Sequence, residues 1–207
     1  HGPYSYVEAM SRIRLATSLA SEGLKEEATQ ALQAMAPLLE KDWRSEGMGA
    51  AALRADVGFT QWQMRLFPEA IRSLEKAIAE LDRLAGRYNA QSIQASRTLG
   101  MAYMDSGQYA RANEIFASNV ERSKRVYGPQ DSETALNLSF QVMTLHRTGD
   151  TAGAEETARE SVRLAQTQGA SLSASEMRGF TRRYATALAI NGKPEEALRW
   201  FDQLIAQ

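Results

Sequence analysis

Apolar residues recur along this chain at fixed distances from a series of turn positions. The turn positions are about 42 residues apart, at Gly23, Arg65, Gly107, Gly149 and Gly192. Five residues after them stand Ala28, Ala70, Ala112, Ala154 and Ala197. Nine residues after them stand Leu32, Leu74, Phe116, Ala158 and Phe201. Because residues four apart share one face of a helix, the pattern predicts five copies of one helical hairpin.

This periodicity predicts ten helices and no strand. The first helices of the pairs are expected at about 5–21, 47–64, 89–105, 132–147 and 174–190, and the second helices at about 24–42, 67–85, 109–126, 152–168 and 194–206. Arg65 is the one turn position without glycine, and Phe67-Pro68 is expected to form that turn. Pro68 and Pro194 fall at helix starts, where a missing N–H is harmless. Pro37 falls inside a helix and predicts a kink, and Ser173 and Glu176 have the spacing of a capping box.

The most specific pattern runs from Leu99 to Phe116. It reads Leu99-Gly100-Met101-Ala102-Tyr103, then Gly107-Gln108-Tyr109, then Ala112 and Phe116. This pattern resembles the tetratricopeptide repeat, in which small residues lie where the two helices of a hairpin cross. The resemblance covers about Met10 to the end of the chain. It implies an all-α, right-handed superhelical solenoid of about five helix-turn-helix hairpins. Residues 1–207 would then form a single array, with repeats at approximately 9–42, 51–84, 93–126, 135–168 and 178–207.

The period is longer than the 34 residues of a standard tetratricopeptide repeat and resembles the kinesin-light-chain-like branch of the family. The segment from Tyr127 to Ala135 is similar to the inter-repeat loop of that branch, with Asp131-Ser132 in place of a His-Pro pair. Two binding patterns of the wider family are missing. Arg97-Thr98 and Ser139-Phe140 replace the paired asparagines of the first helix, and the Lys/Asn/Arg clamp of chaperone-binding members is absent. The resemblance therefore implies binding of a protein without naming it.

Composition and charge exclude several classes of partner. The chain has 24 basic and 25 acidic residues and a net charge of −1, so no basic surface for nucleic acid is expected. No apolar run approaches 18 residues, so no membrane span is predicted, and the N-terminus shows no signal-peptide pattern. Without cysteine, disulfides and thiolate sites are excluded within these residues. We expect a cytoplasmic location, although the composition is equally compatible with the periplasm.

No constellation of catalytic residues is visible, so we predict that the chain is not an enzyme and uses no cofactor or metal. The two histidines are His1 and His146, and no pair has metal-ligand spacing. We interpret His146 as a surface or groove residue. The acidic pairs Glu26-Glu27, Glu155-Glu156 and Glu195-Glu196 follow turns, where the helix dipole stabilises negative charge, and we interpret them as solvated helix starts.

The resemblance also implies a binding surface, because the first helix of each pair lines the concave face in this family. The candidate partner-binding residues are Phe59, Trp62, Arg97, Met101, Met104, Asp105, Met143, His146, Arg147 and Arg182, with Ser139, Arg183 and Thr186 alongside. The aromatic residues and methionines form an apolar stripe, and methionine-rich surfaces adapt to varied partners. We predict a groove for an amphipathic helix or an extended segment, whose acidic residues pair with the arginines. The alternative is that the stripe belongs to the core.

Three functions stay open. The leading hypothesis is a non-catalytic protein–protein interaction scaffold that binds a peptide or protein on its concave face. The second is a regulatory or sensor arm of a larger bacterial protein, such as a caspase-like protease or a signalling ATPase, because the missing initial Met suggests an excised fragment. The third is self-association through the C-terminal hairpin, where Trp200, Phe201, Leu204 and Ile205 leave an apolar end unless the hairpin folds them inward.

Overall fold

The computed structural model describes residues 6–34, 47–168 and 172–205. Within these ranges all regular structure is helical: α1 Tyr6–Ser21, α2 Lys25–Gln33, α3 Met48–Gln63, α4 Phe67–Ala85, α5 Ala90–Asp105, α6 Tyr109–Val126, α7 Ser132–Thr148, α8 Thr151–Gln168, α9 Ala174–Ile190 and α10 Pro194–Ile205. The prediction of an all-α fold of helix-turn-helix repeats is confirmed. The predicted extension of α2 to residue 42, with the kink at Pro37, lies outside the described residues. No helix of the described part is long and apolar enough to cross a membrane.

The chain forms two compact units, residues 1–106 and residues 107–207. The first contains α1 to α5 and the second contains α6 to α10. The assignment of 1–207 to a single array and the bounds of its repeats stay predictions. Each unit has its own buried core, and each contributes its own part of the predicted binding surface.

One turn geometry joins the helices of each hairpin. Gly23, Arg65, Gly107, Gly149 and Gly192 all have a positive φ, between 64° and 91°. At Gly23, Arg65, Gly149 and Gly192, the amide of the next residue donates to the carbonyl five residues before it, at 2.9 to 3.0 Å. This bond closes the end of the preceding helix and requires the left-handed conformation that glycine adopts most easily. Arg65 therefore takes the glycine conformation, and the Phe67-Pro68 pair begins α4 after it rather than replacing it.

The first unit is held together by close helix crossings. Ala9, Ile13, Leu53 and Val57 form a buried cluster of α1 and α3. Helices α3 and α4 approach each other so closely that a Cβ on Gly58 would lie 2.6 Å from Cγ of the buried Leu74. The alanines that follow the turns, among them Ala28 and Ala70, are fully buried. The small residues that the sequence places after each turn thus mark the crossing of the two helices.

The core of the second unit continues to its last hairpin. Trp200 and Phe201 pack against this core, and the Trp200 ring lies edge-on to Tyr184 at 5.1 Å. The C-terminal hairpin therefore folds these two aromatic residues inward. Leu198 is 60% exposed and Ile190 is 53% exposed, so some apolar surface remains. The side chains of Leu204 and Ile205 lie outside the described residues.

The acidic pairs after the turns do not all have the same environment. Glu26, Glu27, Glu156, Glu195 and Glu196 are exposed, as expected for solvated helix starts. That interpretation is wrong for Glu155, which is only 6% exposed. Its carboxylate accepts hydrogen bonds from Lys193, Asn191 and Arg159, so it ties the start of α8 to the turn before α10. The capping box of Ser173 and Glu176 is present at the start of α9.

Candidate functional site

In the first unit, a groove runs between the first helices α3 and α5. Phe59 on α3 faces Arg97 and Met101 on α5 across this groove, which encloses about 480 Å³. Arg97 and Met101 are four residues apart and so lie on one face of α5. Three of the predicted surface residues therefore line one groove between α3 and α5.

The predicted residues at the ends of these two helices also meet. The Trp62 ring lies 5.6 Å from the Phe59 ring, and its indole Nε1 donates a hydrogen bond of 2.8 Å to Oδ2 of Asp105. Asp105 thereby fixes the orientation of the indole, although the two residues are 43 positions apart in the sequence. Phe59, Trp62, Met101 and Met104 are half-buried, and none belongs to the buried core of the unit.

A second groove lies between α1 and α3 and shares a wall with the first. It is lined by Met10, Arg14 and Thr17 of α1 and by Asp56 and Phe59 of α3. Asp56 and Phe59 line both grooves. Loss of water around its carboxylate raises the pKa of Asp56, and the positive charge of Arg14 opposes that rise. Sequence reasoning missed Asp56, although its place three residues before Phe59 puts it on the same helix face.

In the second unit, a smaller pocket of about 200 Å³ lies between α7 and α9. Val142, Met143 and His146 of α7 line it together with Arg182, Arg183 and Thr186 of α9. The family resemblance implied that Met143, His146 and Arg182 belong to the binding surface, and all three line this pocket. Arg183 and Thr186, expected alongside them, complete the wall.

The polar groups of this pocket have few partners. Neither ring nitrogen of His146 has a hydrogen-bond partner among the described residues, and burial lowers the pKa of this imidazole. Burial also lowers the pKa of Arg183, and the adjacent charge of Arg182 lowers it further. The Arg183 guanidinium lies over the Phe140 ring at 5.5 Å. The pocket thus combines an imidazole, two guanidinium groups and an apolar wall.

Arg147 and Ser139 do not line the pocket of His146. Arg147 directs its guanidinium over the Tyr109 ring at 5.4 Å and does not line the pocket of His146. Ser139 is 1% exposed and therefore buried, so its placement on the binding surface is wrong. The repeat register gives the position of a Cα on the helix, but a serine so small is easily covered by larger neighbours.

His146 and the acidic side chains are the groups to consider for chemistry in the described residues. A histidine that acts as a general base needs a second group to orient its ring, and in the described part of the chain His146 has none. Within the same residues, no group of three or more His, Cys, Asp or Glu side chains is placed to hold a metal ion. What the two grooves and the pocket offer is apolar contact area with a few polar groups at fixed positions.

Comparison with known proteins supports the architecture. Residues 91–167 match the family model of the tetratricopeptide repeat, and no curated protein matches the chain. Similar solved structures include the nearly identical TPR-like repeats of a kinesin light chain from Podosopora anserina, with a TM-score of 0.81, 20% identity and coverage of 95% of this chain and 92% of that one. BtubC from P. vanneervenii has a TM-score of 0.72, 12% identity and coverage of 97% and 88%. Apo RapI has a TM-score of 0.76, 14% identity and coverage of 95% and 52%. At these identities the likeness shows the fold alone.

Proposed function

We propose, from the premise that this chain is a tetratricopeptide repeat protein, that it is a non-catalytic scaffold whose first helices bind a segment of a partner protein. Repeats of this family serve protein–protein interaction in general. The observation that supports the proposal for this chain is the groove between α3 and α5. There Phe59 and Met101 present half-buried apolar surface to open space, beside a Trp62 indole that Asp105 holds in place.

The composition of the groove indicates what kind of segment it accepts. Phe59 and Met101 form an apolar floor for an anchoring side chain of the partner. Asp56, Gln94 and Arg97 line the same groove and supply polar contacts that fix the direction of the bound chain. An amphipathic helix, or an extended segment with one large apolar side chain, satisfies both requirements.

The experiment is affinity capture from a lysate of the source organism, with the wild-type chain and its Trp62→Ala/Met104→Glu variant immobilised side by side. A matched control, Leu84→Glu, adds a charge to an exposed apolar residue on the second helix α4. Circular dichroism first verifies that all three proteins fold. The captured protein is identified, purified and titrated against each variant.

The proposal predicts that the identified partner binds the wild type and the Leu84→Glu control equally and loses affinity for Trp62→Ala/Met104→Glu. Removal of a buried aromatic contact costs at least about 2 kcal/mol at a binding hot spot, which is roughly 30-fold in affinity. A partner that binds Trp62→Ala/Met104→Glu as tightly as the wild type contradicts the proposal.

Self-association through the last hairpin is a second candidate, favoured by the exposure of Leu198 and Ile190. Light scattering over a range of protein concentrations tests it directly. The candidate predicts a mass that rises with concentration and a return to monomer in Leu198→Glu. A mass that stays monomeric in the wild type at every concentration rejects it.

A further inference from the structure

The pocket between α7 and α9 contains positive charge without a matching negative charge. Arg182 and Arg183 are consecutive on α9 and both line the pocket. No carboxylate of the described residues forms an ion pair with either of them. Like charges repel each other: burial lowers the pKa of Arg183, and the positive charge of Arg182 lowers it further. An anion between them would relieve this repulsion.

The His146 ring forms another part of the wall of the same pocket. Both of its ring nitrogens are shielded from solvent and lack a partner in the described part of the protein. Because no ligand oxygen can reach these nitrogens in the structure, Arg182 and Arg183 are the charged hydrogen-bond donors of the pocket. Val142 and Met143 form the apolar side of the pocket, which suits the carbon atoms next to a charged group.

We infer that this pocket receives the side-chain carboxylate of an aspartate or glutamate in the partner segment, with a neighbouring apolar side chain against Met143 and Val142. The inference rests on the proposed function, because the carboxylate belongs to a partner protein and the pocket lies between two of the first helices. Arg182 and Arg183 donate to the carboxylate oxygens, and the His146 ring lies beside the bound carboxylate.

The lining favours a side-chain carboxylate over other anions. Arginine side chains only donate hydrogen bonds, and an ionised carboxylate only accepts them. A phosphate dianion carries three acceptor oxygens, but Val142 and Met143 close one side of the pocket to polar atoms.

The test uses nuclear magnetic resonance of the His146 ring nitrogens in the full chain. The sequence has two histidines, and the His146→Gln variant identifies the signal. The first probe is the tripeptide Leu-Asp-Leu, acetylated at its N-terminus and amidated at its C-terminus. Three comparison probes are the same peptide with Asn in place of Asp, that Asn peptide with a free C-terminal carboxylate, and inorganic phosphate.

The inference predicts a saturable shift of the His146 signal with the Asp peptide and none with the Asn peptide. Arg182→Ala is expected to weaken binding of the Asp peptide about tenfold, the effect of losing one charge-assisted hydrogen bond. Arg178→Ala, on the same helix but outside the pocket, is the matched control and leaves binding unchanged.

Several results would overturn the inference. These are the absence of a shift with the Asp peptide, an equal shift with the Asn peptide, or stronger binding of phosphate or of the free C-terminus. A captured partner that is sensitive to Trp62→Ala/Met104→Glu but indifferent to Arg182→Ala would refute the carboxylate pocket and leave the proposed function intact. A partner indifferent to Trp62→Ala/Met104→Glu would instead refute the proposed function, whatever the Asp peptide does.

Discussion

Replacement of Glu155 tests how the last two hairpins are joined. Its Oε1 lies 2.7 Å from Nζ of Lys193 and 2.5 Å from a guanidinium nitrogen of Arg159, and its Oε2 lies 2.9 Å from Nδ2 of Asn191. Glu155→Gln keeps the shape of the side chain but removes its charge. The amide also turns an N–H₂ group toward a neighbour that is itself a donor.

The magnitude follows from these contacts and from their exposure. Hydrogen bonds to a charged group contribute about 1.5–3 kcal/mol each when they are buried. The side chains of Lys193 and Arg159 are 44% and 55% exposed, so water replaces much of what those two partners lose. We therefore expect Glu155→Gln to lower the free energy of unfolding by about 2 kcal/mol. Glu156→Gln, its exposed neighbour, is expected to change it by less than about 0.5 kcal/mol.

The pH dependence has a definite sign. The pKa of Glu155 lies below its ordinary value of 4.5, and the hydrogen bond from Lys193 is the largest cause. The hydrogen bond from Asn191 and the charges of Lys193 and Arg159 lower this pKa further, whereas burial raises it. A carboxyl whose pKa falls on folding stabilises the protein above its unfolded pKa, and this contribution is lost as the pH falls through the folded pKa. The stability difference between wild type and Glu155→Gln is thus complete near neutral pH and shrinks below 4.5.

Urea unfolding at a series of pH values, followed by circular dichroism, measures this difference directly. The reasoning is refuted if Glu155→Gln and Glu156→Gln have the same stability at pH 7. It is also refuted if the gap between wild type and Glu155→Gln stays constant down to pH 3, since the charge of the carboxylate would then not be the cause.

Two further predictions concern the backbone. Gly58→Ala gains about 1 kcal/mol of helix propensity, but its Cβ would overlap Leu74 at 2.6 Å, so we expect a net loss of about 1–2 kcal/mol in the free energy of unfolding. Gly179→Ala is the control, because its Cβ would meet only the tip of the Arg183 side chain. A stabilising Gly58→Ala would contradict the close crossing of α3 and α4. Arg65 has a φ of 64°, and Arg65→Gly removes the cost of this left-handed conformation, about 1–2 kcal/mol. Two effects oppose this gain: the contact with the Phe67 ring is lost, about 0.5 kcal/mol, and glycine raises the entropy of the unfolded chain. A net stabilisation of about 0.5 kcal/mol is expected in urea unfolding, and a destabilised Arg65→Gly would show that the conformation is not strained.

The fold was predictable because its main requirements are local. A hairpin of this kind needs a left-handed residue at its turn and a small residue five positions later. Gly107 and Ala112 meet these two requirements, and both can be read from the sequence. The burial of Glu155 was not predictable in this way. Its partners Asn191 and Lys193 are 36 and 38 residues away, and only the packing of α8 against the last turn brings them together.

The candidate site was predictable to the extent that it follows the helix face. The repeat pattern placed Phe59 and Met101 on facing helices, and they line one groove. It does not encode the direction of a long side chain, which explains why Arg147 turns toward Tyr109 instead of the pocket. Nor does it encode the lack of hydrogen-bond partners around His146, because that depends on every neighbour of the folded chain.

The measurement that tests the proposed binding surface most directly is site-specific photo-crosslinking to the captured partner. A Met104→p-benzoylphenylalanine variant places the reactive group on α5, three residues after Met101 of the groove. A Leu84→p-benzoylphenylalanine variant places it on the exposed side of α4. We predict a covalent adduct with the partner from position 104 and none from position 84. An adduct from position 84 alone would contradict the assignment and move the partner to the surface formed by the second helices.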